Sequence, residues 1–458
     1  MQTITLPYPN DVADFFSHFA HLPYAILLDS CRDHQLQGRY DIIVADPTHL
    51  FTNPETIFEE IKTQIALLKK RQTMPRTENL PFTIGVVGYL SYDFGRYLEV
   101  LPSKAQNDIA LPEVMAGIFE WSIVIDHDQR GAYLTATTIA LQNKILRYLS
   151  QPPKKPSAFQ LHEKLQPMIT KVAYQKIFHA IKHHITEGNC YQINFAQRFS
   201  GKYLGDPWGA YCLLRKENPA PFSAFVRLPK GAILSFSPEK FLEVSDGCAI
   251  TKPIKGTAKR LADSEEDLHA AQTLLRCQKN RAENVMIVDL LRNDLSKNCI
   301  AGSVQVKALC ALESFKNVHH LVSTITGKLK KEKTTMDVLR SCFPGGSITG
   351  APKIAAMKLI ELLEPYRRSV YCGSIFYQDI SGRLDSSIAI RTLLCDRDNI
   401  HCYAGGGIVY DSNVDDEYEE CFAKVGNLLR ALHRQEREST TTFSRKSAQK
   451  LKVRNEAE

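Results

Sequence analysis

Short apolar and β-branched runs dominate the first 150 residues: Ala25–Asp29, Tyr40–Ala45, Ile84–Leu90 and Val114–Ile125, each bounded by Gly, Pro or Asp. Runs of that length and punctuation are strand signals, so this part of the chain must be built on sheet. Helical spacing interrupts them at Ile57–Lys69. Further on the pattern is mixed. Thr170 is placed to cap a helix with Tyr174, Ile177, Phe178, Ile181 and Ile185 on its apolar face, Gly188 ends it, and Tyr191–Phe199 reads as the next strand. Strand signals recur at Ala224–Leu228, Ala232–Phe236, Phe241–Val244, Val370–Tyr377, Ser386–Leu394 and Ile400–Ala404. A long helical stretch covers about 264–292. An amphipathic helix over about 415–432 presents Tyr418, Phe422, Val425, Leu429 and Leu432 on one face. Clustered strands with long helices between them predict an α+β fold, antiparallel sheets sheathed by helices.

A Pro/Lys-rich linker, Gln151-Pro152-Pro153-Lys154-Lys155-Pro156-Ser157, interrupts the pattern. It divides an N-terminal region (1–150) from a larger region (165–432), with the linker taken as 151–164. Residues 433–458 form a polar tail, read as disordered, that carries seven Lys/Arg against four Asp/Glu. The tail thus holds +3 of the net charge of +7. The rest is a mild basic bias, compatible with an anionic small-molecule substrate. A nucleic-acid-binding or scaffold protein working through the tail is the competing class; it predicts salt-sensitive binding that truncation near 433 abolishes. No apolar stretch approaches the ~20 residues needed to cross a bilayer. The start, MQTITLPYPNDVADFF, lacks a basic segment followed by an apolar one, so no secretory signal is read and a cytoplasmic location is expected. Twelve cysteines without a C-x-x-C pair read as reduced and mostly buried.

Lys255 stands in Lys252-Pro253-Ile254-Lys255-Gly256-Thr257, sixteen positions after Glu239 in Ser237-Pro238-Glu239. A lysine between a Pro-Ile entry and a Gly-Thr exit suits a buried strand edge, where desolvation would lower its pKa and free the amine as a nucleophile. Alone, it reads more readily as a salt-bridged loop lysine, and Glu239 more readily as a surface turn acid. Together they make a nucleophile and a general acid/base. Glu283 lies on the long helix; Glu417 and Glu420, three apart, share one face of the last helix, which Lys424 extends. Carboxylates from separate helices, without thiols or paired histidines, suit a hard cation such as Mg²⁺, although Glu417 and Glu420 alone read better as a solvated helix start. Gly345–Lys353 and Gly405-Gly406-Gly407 read as glycine loops whose amides can approach an anion, and Arg391 as a carboxylate clamp. His320, in an apolar run, reads by default as a core histidine.

In order along the chain, CYQINFAQR, PFSAF, SPEKF, PIKGTAKR, RAENVMIVDLLRND, VHHLVSTITG, FPGGSITGAPK, YCGSIFY, IAIRT and AGGGIV resemble the motifs of the chorismate-utilising enzymes over about residues 12–432. The resemblance implies two packed, largely antiparallel sheets surrounded by helices. Anthranilate-forming members carry PIAGT where this chain has PIKGT, and isochorismate-forming members place a lysine base where it has Gln192. Lys255 therefore matches the lysine that attacks C2 of chorismate in the branch making 4-amino-4-deoxychorismate for 4-aminobenzoate and folate; the anthranilate-forming branch is the runner-up.

The same resemblance implies Glu239 as general acid and His320 beside the reacting ring. It implies Mg²⁺ on Glu283 and Glu420 with support from Glu417, and substrate contacts from Gln192, Thr349, Arg391, Lys424 and the Gly405, Gly406 and Gly407 amides. No glutaminase motif is present, so a separate glutamine amidotransferase subunit supplying ammonia is implied. Relatives also hold tryptophan in a pocket matched by Ser30, Gln37, Gly38, Arg39, Tyr40, Pro221, Phe222 and Ser223. Leu27-Leu28-Asp29-Ser30 departs from the Leu-Leu-Glu-Ser of feedback-inhibited members, which makes a bound tryptophan structural, or absent, here.

Overall fold

A computed structural model gives the fold; it describes residues 1–32, 38–72, 80–315 and 318–455, with side chains through Arg434. Among the described residues, two large antiparallel sheets of twelve and ten strands carry the molecule, with helices packed against them. The first sheet places Ile26–Asp29, Phe222–Leu228, Gly231–Ser237, Thr392–Asp396, Asn399–Ile408 and Gln192–Leu204 side by side. The second runs from Ile254–Lys259 through Val318–Lys328, Cys248–Thr251, Lys240–Ser245, Leu384–Ile388 and Ser374–Asp379 to Gly85–Leu90. Strands from before residue 150 thus pair with strands from after 165 in both sheets: Leu28 opposes Ala224, and Gly88 opposes Phe376. The expected α+β architecture is present.

The chain crosses between the sheets at a few short links. Val114–Ile125, read from sequence as one run, is two strands, Val114–Phe119 in the second sheet and Trp121–Asp126 in the first. Pro238-Glu239 joins Gly231–Ser237 of the first sheet to Lys240–Ser245 of the second, and Ala389–Arg391 makes the return from Leu384–Ile388 to Thr392–Asp396. These last two crossings touch: Ile388 N–H donates to Glu239 O at 3.1 Å, and Phe236 N–H donates to Arg391 O at 3.1 Å.

Helix Lys171–Thr186 begins as expected, with the Thr170 hydroxyl accepting from Ala173 N–H. The stretch expected as one helix over 264–292 is two, Ser264–Arg276 and Gln278–Ser296, because Cys277 is extended between them. The last helix spans Val414–Asn455, longer than the 415–432 expected; no Gly or Pro follows Gly426 to stop it. The segment 151–159 is without regular structure, and Gln160–Pro167, partly assigned to the linker from sequence, is a strand beside Gln192–Leu204. All twelve cysteines are free. Among the described residues no helix is long and apolar enough to cross a membrane.

Candidate active site

Where the sheet crossings meet lies a cavity of about 650 Å³, lined also by residues of helices Gln278–Ser296 and Val414–Asn455. Lys255, Glu239, Glu283, His320, Arg391, Gly405, Gly407, Glu417, Glu420 and Lys424 all line it. Residues that the sequence spreads over some 185 positions thus converge.

Lys255 sits on the edge strand Ile254–Lys259, whose register places Ile254 opposite Val322 and Thr257 opposite His320. Gly256 breaks that pairing with a φ of +88°, and a side chain there would press on Asn280, so glycine is required. The Lys255 Nζ donates to Ser347 O at 3.2 Å. Burial lowers its pKa, opposed by the negative charges of Glu283 and Glu239. Glu239, itself buried, is shifted the other way: desolvation raises it, restrained by a hydrogen bond from the Ser347 hydroxyl and by Lys255. One residue, Ser347, thus contacts both members of the pair.

Burial, and then Arg391, lower His320 to about 4, so it is neutral at physiological pH; its Nδ1 is 2.8 Å from the Thr257 hydroxyl. Arg391 is held at φ +51°, and among the described residues its guanidinium has no hydrogen-bonding or ionic partner. A largely buried, unpaired guanidinium facing a cavity is a site for an anionic group on a ligand.

Glu417, Glu420 and Lys424 descend from the last helix onto the strand Asn399–Ile408. The sequence reading made Gly405–Gly407 a loop; the three are instead in that strand, opposite Ala196, Phe195 and Asn194. Their reason for being glycine is close packing. A Cβ on Gly405 would lie 2.0 Å from Phe195 O, and one on Gly406 would lie 2.8 Å from Glu417 Oε2 and 3.5 Å from Glu420 Oε1. Lys424 bonds Glu420 at 2.5 Å and Gly405 O at 2.8 Å. Glu417 accepts from the Ser412 hydroxyl at 2.7 Å and pairs with Lys279 at 3.4 Å. Burial, together with Glu417 and Glu420, raises Glu283 against the pull of Lys255 and Lys279, whereas Lys424 overcomes burial and lowers Glu420.

The donor chemistry, carboxylate oxygens alone, fits a hard divalent cation. Among the described residues no three acidic, His or Cys side chains already form a metal cluster. Mg²⁺ does not demand one, since it is commonly held by one or two carboxylates plus ligand oxygens and water. Of the three carboxylates, Glu417 is engaged by Ser412 and Lys279 and Glu420 by Lys424.

Three predicted contacts, Gly406, Thr349 and Gln192, lie outside the cavity lining. Thr349 is fully buried, its hydroxyl given to Gly345 O and Gly346 O. Gln192 is buried with its amide against Gly407. Conversely, Lys279, Ser347, Asn194, Tyr371 and Tyr403 line the cavity and were not singled out from sequence. Lys279 could have been found, standing one helical turn before Glu283. Ser347 falls within the glycine run Gly345–Lys353 noted above, and Asn194, Tyr371 and Tyr403 carry no local signal.

A second cavity, of about 440 Å³, is lined by Ser30, Gly38, Arg39, Tyr40, Pro221, Phe222 and Ser223. These are the residues matched to a tryptophan pocket; Gln37 lies outside the described residues. Asp29 beside them is held by Arg215 at 2.7 Å and by the Tyr211 hydroxyl at 2.9 Å. Pro238 and Ile254 line both cavities.

A sheet-bounded cavity holding a lysine–carboxyl pair, an unpaired arginine and an acidic cluster defines an enzyme site for a small anion. The family model for chorismate binding enzymes matches residues 24–430, and the chain belongs to that family. It is 43% identical over 447 residues to the aminodeoxychorismate synthase component 1 of Escherichia coli (94% of this chain, 98% of that protein) and 42% identical, with the same coverage, to that of Salmonella typhimurium. Anthranilate synthase component 1 of Thermus thermophilus is 35% identical, covering 90% of this chain and 92% of that protein. Among solved structures, anthranilate synthase component I from Streptococcus pneumoniae superposes with a TM-score of 0.74 at 29% identity, covering 87% of this chain and 94% of that one.

Proposed function

We propose that this chain converts chorismate and ammonia to 4-amino-4-deoxychorismate through a covalent adduct on Lys255. The observation that carries the reading is the placement of Lys255 and Glu239 in one cavity, each shifted by burial toward its uncharged form. A neutral amine beside a protonated carboxyl is the combination a nucleophilic substitution with a poor leaving group needs.

The Lys255 nitrogen bonds to C2 of chorismate, the ring double bonds shift, and the C4–O bond breaks as Glu239 delivers a proton to the departing hydroxyl. Ammonia then bonds to C4, the double bonds shift back, and the C2–N bond to Lys255 breaks. Glu239, now a carboxylate, takes the proton released by the incoming ammonia. Arg391 anchors a substrate carboxylate, and neutral His320 packs beside the ring. Mg²⁺, held by Glu283 and Glu420 with Glu417 in support, would offset the negative charge of the ring carboxylate.

The ammonia source is a separate glutamine amidotransferase subunit, in keeping with the name component 1 carried by the relatives. The reaction belongs to 4-aminobenzoate and folate synthesis in the cytoplasm. A tryptophan in the second cavity, lined by the residues matched to that pocket, would be structural, or the pocket takes none.

The test is incubation of the purified chain with chorismate, Mg²⁺ and an ammonium salt, with the product identified by mass and fluorescence. Aminodeoxychorismate without pyruvate is expected. Anthranilate with released pyruvate would reject the reading in favour of the anthranilate-forming branch.

A further inference from the structure

Behind the cavity wall lies a fully buried ion pair that no step above uses. Arg368 is held by Glu364, one turn before it on the chain, through Nε at 2.9 Å and Nη2 at 2.7 Å. The same guanidinium donates to Ile348 O at 2.9 Å and to Asn194 O at 2.5 Å. Glu364 in turn accepts from Ala196 N–H at 2.8 Å. The Tyr92 ring covers the guanidinium at 4.6 Å.

These bonds complete a sheet edge that would otherwise stop. Gly350–Ala351 pairs with Gln192-Ile193 only, and Asn194 N–H still reaches Thr349 O at 2.9 Å. Beyond that point the side chains of Arg368 and Glu364 take the places of the missing strand, one bonding Asn194 O and the other Ala196 N–H. The segment they tie down includes Ser347 and Ile348, and Ser347 is the residue whose carbonyl meets Lys255 and whose hydroxyl meets Glu239.

We propose that the Glu364–Arg368 pair is a positioning element for the reaction, fixing the Ser347-Ile348 turn against Asn194 so that Lys255 and Glu239 stay aligned on the ring. A pair serving stability alone could be replaced by apolar groups of similar volume with little loss. A pair that sets geometry could not, since a displacement of about 1 Å at a reacting centre costs about 100-fold. The inference rests on the Lys255 reading above.

Two variants test it. In Glu364→Leu/Arg368→Met neither charge is left unpaired, and in Arg368→Lys the charge stays but a single nitrogen replaces the planar fork that bonds Glu364, Ile348 and Asn194 through Nε, Nη1 and Nη2. Each is compared with wild type for folding by circular dichroism, for kcat and KM with chorismate and ammonium, and for the pH dependence of kcat/KM. The expected result is a folded protein with KM within a few-fold of wild type, kcat reduced about 10–100-fold, and the acid limb displaced upward as Glu239 loses its Ser347 hydrogen bond. Should the double variant not fold, Arg368→Lys decides by the same three readouts. Wild-type kcat and pH profile in either folded variant would overturn the proposal, as would a loss confined to KM. A wild-type enzyme that forms no aminodeoxychorismate would instead overturn the reading on which it rests.

Discussion

The Lys255 amine lies 3.2 Å from the carbonyl oxygen of Ser347, a neutral acceptor, and not in a salt bridge. A lysine that served only to balance charge would take Glu283 or Glu239, both of which act on it electrostatically within the same cavity. Lys255→Ala should therefore leave the fold intact and abolish any chorismate-derived mass on the Lys255 peptide after rapid quenching. Weak amination by direct attack of ammonia on C4 is expected to survive. An adduct that persists in Lys255→Ala, or is found on another peptide, would remove Lys255 from its role.

Lys255 and Glu239 share a proton count, and this fixes the form of the pH profile. The reactive form, neutral amine with protonated acid, holds one proton between the two groups, as does the form in which both are charged. Lowering the pH adds the second proton, and raising it removes the last. Burial raises Glu239 above its ordinary 4.5 and lowers Lys255 below its ordinary 10.5, so both limbs move inward. A bell-shaped kcat/KM is expected, with its acid midpoint above 4.5 and its basic midpoint below 10.5, the two belonging to the pair and not to either residue. Glu239→Gln should remove the acid limb and lower kcat about 10²–10⁴-fold. A profile flat over that range would contradict the assignment.

Much of this site was legible because its signals are local. Thr170 caps its helix and Lys255 lies on a strand edge, both as residue order suggests. What escaped was non-local. The split of Val114–Ile125 depends on two sheets competing for one apolar run, which its hydropathy does not record. Arg368 holds Ile348 and Asn194, 20 and 174 positions away, and nothing near it in sequence marks that reach. Gly405–Gly407 misled for a different reason: glycine permits a loop and a crowded strand alike, and only the strand opposite distinguishes them.

On the proposed function Arg391 would anchor the substrate, because its guanidinium lines the cavity with no competing partner among the described residues. Charge-assisted hydrogen bonds contribute about 1.5–3 kcal/mol. Arg391→Ala should accordingly raise KM for chorismate about 10–100-fold. Arg391→Lys should recover only part of this, since a bidentate fork becomes a point charge. An unchanged KM in Arg391→Ala, measured with saturating ammonium, would show that the carboxylate binds elsewhere.

Gly405 and Gly406 are adjacent yet should fail differently when replaced by alanine. At Gly405 the added methyl meets a backbone oxygen of the paired strand, which can move only by opening the sheet. Overpacking of this kind costs about 1–3 kcal/mol, so Gly405→Ala should lower the unfolding midpoint with or without Mg²⁺. At Gly406 the methyl meets the end of the Glu417 side chain, which can swing away at small cost to the fold. That movement breaks the Ser412–Glu417 bond and crowds Glu420, so Gly406→Ala should fold normally but need about tenfold more Mg²⁺ for half-maximal activity, the loss typical of a disturbed supporting group. Mg²⁺ is expected to stabilise the wild type in thermal unfolding, and in Gly406→Ala that effect should shift to higher concentration by the same factor. If Gly406→Ala instead lost stability as Gly405→Ala does, and kept the wild-type Mg²⁺ dependence, the acidic cluster would be a structural feature of the last helix and the cation would have to sit elsewhere.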